Sequence, residues 1–307
     1  MSRAEIAAAS TDGAQRAPAF GTARRFDPFL IVGTLIVATV CLLAVWGPVI
    51  GPYDPTLTTA SVAVPPPSPS EVPGLLIAQF SGQLDTPPHW MGTDANGYDV
   101  FSRVIAAPRA DLTIALLATA LSAILGVGLG LLAGYFRNIA TELLMRVSDV
   151  MQSFPVFISA MVLVALAGRS TTNIVIALAF VYTPIFVRLT RAEVLSQKNR
   201  GFVESARALG TSELTIAIRH VLPNSLTPAL IQLSVTVGFA ILLTAGLSFV
   251  GAGVRPPTPE WGLMISTGAN QIILGEWWPS VFPGIAISLT VFGFAALGNV
   301  VERRHDG

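Results

Sequence analysis

Apolar residues fall in long, nearly unbroken blocks along the chain, separated by polar or proline-rich breaks. The blocks run about Phe29–Ile50, Leu112–Tyr135, Val147–Ala167, Thr172–Leu189, Leu226–Leu247 and Trp278–Val301. Each holds roughly twenty residues, which at about 1.5 Å of helical rise per residue is the thickness of a bilayer core. The pattern predicts an all-α polytopic membrane protein with six transmembrane helices. A seventh apolar piece, Trp261 to Leu274, is too short and too polar to cross and reads as re-entrant or interfacial.

The breaks divide the chain. Residues 1–28 are polar and read as a mobile tail. The first block, 29–50, follows Arg24 and Arg25 as a signal sequence would, but its apolar run is about 22 residues, too long for a cleavable segment. It reads as a retained helix. Residues 51–110 contain "PYDP" and "PPPSPS", and proline continues neither helix nor central strand, so this stretch lies outside the membrane. Residues 111–301 hold the remaining five spans as a core domain, and 302–307 form a second tail.

Composition sharpens this. Of 307 residues 52% are hydrophobic and 12% charged, against about 25% charged in soluble domains. Zero net charge gives nucleic-acid binding no electrostatic support. The single cysteine, Cys41, reads as a small buried apolar filler. With the N-terminus in the cytoplasm, all of the 18 basic residues except Arg103, Arg109, Arg169 and Arg255 fall inside. The positive-inside rule therefore puts both termini, and the Arg188–Arg219 loop, in the cytoplasm.

Ala118, Ser122, Gly126, Gly130 and Gly134 recur every four residues on one face of the second span. Small residues there let another helix approach closely, the mark of a span at the centre of a packed bundle or subunit interface. "GLGLLA" in the same run loosely matches a dinucleotide fingerprint but has no strand before it, so that reading fails.

Reacting groups are missing. His89, His220 and His305 are far apart, without metal-ligand spacing. No GxSxG elbow occurs. The one lysine, Lys198, follows glutamine, so there is no Walker A loop. Polar groups within the spans are mild: Thr119, Ser122, Thr183, Gln232, Thr236, Thr244 and Thr290. Asp149 and Arg146 stand near one span end, where they can pair locally. A carrier driven by its own ion coupling would show buried charge. If this chain moves something, another subunit supplies the energy.

Between two apolar blocks lies "ESARALGTSELTIAIRHVLPN", Glu204 to Asn224. Phe202, Val203, Ala206 and Leu209 recur at helical spacing, with Glu204 and Arg207 on the other side. Gly210 follows as a natural left-handed residue after the helix. Thr211 or Ser212 can cap a second helix with Glu213 in its first turn, and Pro223 ends or kinks it. By pattern alone, this is equally a loop folded for stability and a docking element.

A resemblance decides between the two. Glu204, Ser205, Ala206, Leu209, Gly210, Leu222 and Pro223 resemble the EAA motif of ABC importer permeases, with Ser205 in place of the first alanine and His220 in place of the usual isoleucine. "HWMGTDANGYDVFSRVI" is similar to an outer motif of dipeptide, oligopeptide and nickel permeases at Gly92, Thr93, Asp94, Gly97, Asp99, Ser102 and Arg103, with Tyr98 where arginine is usual. "MRVSDVMQSFP" matches at Met145, Arg146, Asp149 and Pro155. "LSFVGAGVRPPTPEWG" matches through Ser248, Gly251, Gly253, Pro257, Pro259, Trp261 and Gly262. Thr244 and Asn299 depart from the family, which often has acidic residues there. "PYDP" and the long outer segment point to the C-type subunit.

The resemblance implies a MetI-like permease fold with a cytoplasmic coupling helix, in a multi-pass protein of a bacterial inner membrane. It implies a non-catalytic channel subunit with no cofactor of its own, ATP and Mg being bound by partner ATPases. The implied partners are a B-type permease, one or two ATPase subunits or a fused one, an extracytoplasmic substrate-binding lipoprotein, membrane lipid and peptide cargo. The segments 51–110 and 248–277 would face the binding protein. Import of nickel, opines or glutathione is the alternative within the family. A membrane enzyme lacks its catalytic groups here, and a membrane scaffold using the loop for docking is a third class.

Overall fold

The computed structural model describes residues 28–60 and 63–305, with the side chains of 299–305 excepted. The tail expected over 1–28 lies outside the described residues except for Pro28, which opens the first span. The described residues are mostly helical, and the strand pairing among them is one isolated β-bridge, Thr93 to Asp99.

Five helices are long and apolar enough to cross a membrane: Pro28–Ile50, Val100–Tyr135, Thr171–Gln197, Thr227–Phe249 and Trp278–Gly298. The last continues in helix to His305, so the tail expected over 302–307 is helical for most of its length. The span expected over Val147–Ala167 is not one straight helix. Ile139–Ser153 and Val156–Ala167 meet at a bend of 97°. The cause is local: Pro155 forces the residue before it out of the α region, and Phe154 is extended at φ −92°, ψ 143°. Only the pair together can count as a span.

Two other expected boundaries move. Within Val100–Tyr135 the long helix of the second span starts at Pro108, a proline in the first turn where no N–H is missed, directly after the short helix Val100–Ala106. The fourth span runs to Gln197 rather than Leu189, because "TRAEVLSQ" is polar but contains no helix breaker. Cys41, expected to be buried, is exposed on the first span. The helix is apolar all round, so hydrophobicity does not report which side faces the core.

The most extensive helix pairing is between the second and fourth spans. A Cβ placed on Gly130 would lie 2.7 Å from the Val187 carbonyl oxygen, and one on Gly134 2.7 Å from Val194 Cγ1. Backbones therefore meet along the small-residue stripe, and Ser122 at its start is buried. The interior divides into three clusters. One surrounds Trp261, Met264, Trp278 and Ile241 at the proline-rich end. A second surrounds Ile114, Leu178 and Leu247. The third, around Leu131, Val194 and Ile216, lies at the opposite, loop end.

Candidate functional site

At the loop end the Glu204–Asn224 segment folds as its pattern predicts. A helix spans Gly201–Ala208. Gly210 follows at φ +80° and donates its N–H to Arg207 O at 3.0 Å, while Thr211 N–H reaches Ala206 O at 3.2 Å. These two bonds are a Schellman stop, and they need the left-handed residue. Ser212, not Thr211, caps the next helix, Glu213–Ile216. Pro223 does not end that helix. A π turn over Ala217–Val221 precedes it and the chain continues as helix over Leu222–Ser225. Proline has no N–H and crowds the carbonyl four residues back, and the wider turn absorbs both.

Burial divides the segment. Val203 is sealed against Val194, Ile216, Ala217 and Val221, with Ala206 and Leu222 at the edge of that cluster. Glu204, Ser205 and Pro223 are exposed. Leu209, counted on the apolar face, is 86% exposed at the tip of the turn. The result is a short helix anchored by one side and presenting a charge and a leucine outward.

One constellation here was missed by sequence reasoning. Arg207 grips Glu213 with two bonds, Nε to Oε1 at 2.6 Å and Nη2 to Oε2 at 3.0 Å. The Tyr135 hydroxyl, at the end of the second span, donates to the same carboxylate. The Arg207 guanidinium first, and the Tyr135 hydroxyl second, hold Glu213 down at about 2. Lys198 Nζ adds bonds to the Gly134 and Tyr135 carbonyls at 3.3 and 3.2 Å. Nearby, Asp149 pairs with Arg188 of the fourth span at 2.7 Å rather than with Arg146. Arg188 stands within the fourth span as the apolar block already draws it, one residue before Leu189.

At the proline-rich end the two outer motifs come together. Asp99 caps Val100–Ala106 through Ser102 N–H at 2.8 Å and binds His89 Nδ1 at 2.7 Å. Asp94 accepts the N–H groups of Asn96 and Tyr98, closing a tight turn. Gly92 lies against the Trp278 indole, whose Nε1–H donates to Thr93 O. Ser102 Oγ accepts Tyr53 N–H. Arg103 is buried beneath the Tyr98 ring and donates to Pro55 O at 2.9 Å and Pro257 O at 3.2 Å. It thereby joins the first motif to the second. Within the second, Gly251 N–H reaches Ser248 O, Gly253 packs on Ser248, and Pro259 leads into the Trp261–Ala269 helix. Trp261 is buried with its indole N–H on Val104 O, and Gly262 touches the Ala245 backbone.

Two buried carboxyl groups meet in this cap. Glu260, 0% exposed, caps the Trp261–Ala269 helix by accepting Gly262 and Leu263 N–H at 2.9 and 2.6 Å. Asp111, 2% exposed, sits in the first turn of the second span and accepts Trp261 N–H at 3.3 Å. The two carboxyls converge on one helix N-terminus, where they take neighbouring N–H groups. Burial pushes Glu260 above the usual carboxylate range. Two carboxyls in contact hold a proton between them. The spans thus do carry a buried acidic group, contrary to the mild polarity read from the sequence, because the second span begins one turn earlier than its apolar block. Thr244, in the departure from the family pattern, is buried with its hydroxyl on Ala240 O. The side chain of Asn299 lies outside the described residues. Among the described residues no three His, Cys, Asp or Glu side chains are grouped to hold a metal.

Comparisons with known proteins show which family the chain is similar to. The chain is 37% identical to the dipeptide transport system permease protein DppC of Alkalihalophilus pseudofirmus, over 88% of this chain and 82% of that protein. It is 37% identical to the di/tripeptide transport system permease protein DppC of Pseudomonas aeruginosa, over 87% and 84%. To the glutathione transport system permease protein GsiD of Pectobacterium atrosepticum it is 37% identical, over 69% and 70%. The family described as binding-protein-dependent transport system inner membrane component matches residues 126–306, which takes in Gly126, Gly130 and Gly134 of the second-span stripe, the Glu204–Asn224 segment and the Trp261 helix. The chain belongs to this family of membrane permease components.

Proposed function

We propose that this chain is the C-type half of a heterodimeric channel that imports di- or oligopeptides with energy from ATP. It pairs with a B-type permease, receives cargo from an extracytoplasmic binding protein and seats an ATPase on the Gly201–Ala208 helix. The chain itself is non-catalytic, and ATP and Mg belong to the ATPase. The observation that carries the docking role is the anchored helix, with Val203 sealed inward and Glu204 and Leu209 presented outward. Peptide cargo is supported by relatives named for dipeptides and di/tripeptides that align over nearly the whole chain. Glutathione is the second reading, supported by a relative that aligns over a smaller share. The arginine distribution supports cytoplasmic termini and an outward-facing proline-rich end.

The test uses the whole complex in proteoliposomes. Gly210→Val places a β-branched residue at φ +80°, at a cost of roughly 1–2 kcal/mol. Nothing lies within 4 Å of the added carbon, so the strain is confined to the turn. Glu204→Lys reverses an exposed charge on the same helix. Both variants should insert and pair, yet lose peptide uptake, with the ATPase dissociating or hydrolysing without transport. Wild-type uptake in both variants would return the docking role to another segment. Competition among di-, tetra- and longer peptides and glutathione assigns the cargo.

A further inference from the structure

We infer that Tyr135, Glu213 and Arg207 form a bracket that transmits movement of the Gly201–Ala208 helix to the second span, acting as positioning residues for transport. The inference rests on the docking role proposed above and adds the route by which docking is felt inside the bundle.

Three elements converge on one carboxylate. Arg207 stands in the last turn of the docking helix, Glu213 in the first turn of the next helix, and Tyr135 at the last residue of the second span. The guanidinium engages both carboxylate oxygens, and the phenol takes Oε2. A fork of two parallel bonds fixes direction as well as distance. Among the described residues this is the one polar side-chain tie between the docking helix and a span. The other attachment is apolar, through Val203, and apolar packing resists sliding less than directed bonds do. Lys198 adds a fixed point by holding the last carbonyls of the second span to the end of the fourth.

Stability does not explain the bracket. Arg207 and Glu213 are both about half exposed, and ion pairs in water contribute little. What the geometry supplies is position. The second span in turn cannot move alone, since its glycines touch the backbone of the fourth along two turns. A displacement of the docking helix therefore reaches two spans as one body. The titration of Glu213 fits a permanent link: held at about 2, it stays ionised at any pH the cell meets.

The experiment measures peptide uptake and ATP hydrolysis together in proteoliposomes containing the complete complex. The variants are Tyr135→Phe, Glu213→Gln, and the charge swap Arg207→Glu with Glu213→Arg. Tyr135→Phe and Glu213→Gln should keep the ATPase bound and turning over, while uptake per ATP falls by roughly two- to thirty-fold, the range over which positions along a coupling route act. The swap should recover part of what Arg207→Glu alone loses, because the pair reforms with opposite sense. An unchanged uptake-to-hydrolysis ratio in both single variants overturns the bracket. So does loss of the ATPase from them, which would make these residues part of the seat. Gly210→Val and Glu204→Lys run alongside separate the two ideas. If they abolish uptake while the bracket variants are neutral, only the bracket fails. If they too are neutral, the docking role fails with it.

Discussion

Gly126→Leu tests whether the stripe on the second span is a true backbone seam. A Cβ at this position would sit 2.8 Å from the Thr183 carbonyl oxygen, and closer still to Phe186 Cβ. Non-bonded carbon atoms rest about 3.5–4.0 Å apart, so the spans must part by roughly 1 Å before the rest of the leucine is placed. The parting cannot stay local, because Gly130 and Gly134 make equally close approaches to Val187 and Val194 on the same face. Overpacking of this kind costs about 1–3 kcal/mol, and a full leucine against backbone belongs at the upper end. Removing a helical glycine returns about 1 kcal/mol. The net loss is about 2 kcal/mol. Leu125→Ala is the control. Leu125 is 46% exposed on the neighbouring face, and in lipid an exposed leucine gains no burial that alanine forfeits. Its cost should be about 1 kcal/mol or less, well under the range for a fully buried leucine. The assay is the yield of assembled complex and its melting temperature in detergent. Equal values for the two variants would refute a backbone seam.

The Asp111–Glu260 pair should make stability depend on pH. The Glu260 carboxyl is raised in the fold, so its contribution is complete below about pH 4.5, its ordinary value, and drains away as pH rises through the folded value. The melting temperature should fall from pH 5 to 9, and Asp111→Asn, which donates an N–H without needing a proton, should flatten that slope; an equal slope in both proteins would count against a shared proton. Arg103→Ala should remove two charge-assisted bonds, one to Pro55 and one to Pro257 in the second outer motif, at about 3 kcal/mol or more, seen as faster limited proteolysis near Pro55 and Pro257. Reporter fusions near Pro67 and at Gly307 should give opposite signals, and like signals would overturn the proposed orientation.

What the sequence made legible was whatever is local. Apolar blocks announced the spans, since no soluble core needs twenty such residues in a row. Gly210 was readable because a helix stop needs a left-handed residue, and Ser212 because a cap needs a side-chain oxygen. The stripe from Ser122 to Gly134 was readable because period four is a helical face. The misses have physical reasons too. Scanning for apolar residues ends a helix where the lipid ends, so the polar turns beyond Leu189 and Asp111 in the first turn of the second span were left out. Pro155 marked a break but not a 97° bend, which depends on where the neighbouring helices leave room. Cys41 was placed inside because apolar usually means buried, an inference that lapses where the surroundings are lipid or another subunit. Neither Tyr135 with Glu213, 78 residues apart, nor Asp111 with Trp261, 150 apart, leaves a trace in spacing.

Packing tightness divides the bundle, and the division bears on how a channel of this kind would open. The second and fourth spans meet backbone to backbone. The first and sixth do likewise, with a Cβ on Gly33 only 2.8 Å from Ala296 Cβ. Between the fifth and sixth spans the fit varies along the seam: a Cβ on Gly238 would make ordinary contacts, 3.6 Å to Phe294 Cβ, while one on Gly298 would reach Val235 Cγ2 at 3.0 Å. The Trp261–Ala269 helix is wedged on the fifth span at Gly262 and on the sixth at Gly268. Glu260 is therefore held on a helix that rests on those two spans, while Asp111 stands on the second. The carboxyl pair joins the two. Two acids sharing a proton part more readily there than a salt bridge would, since parting buried opposite charges would leave each uncompensated in a medium of low dielectric. At the loop end the second span is tied by the Tyr135 hydroxyl to Glu213, so under the proposed docking role a pull on the Gly201–Ala208 helix would enter the span that carries Asp111 at its far end. Replacing Asp111 should therefore alter how readily the far end opens without altering how the ATPase binds, and the two ends can be tested apart.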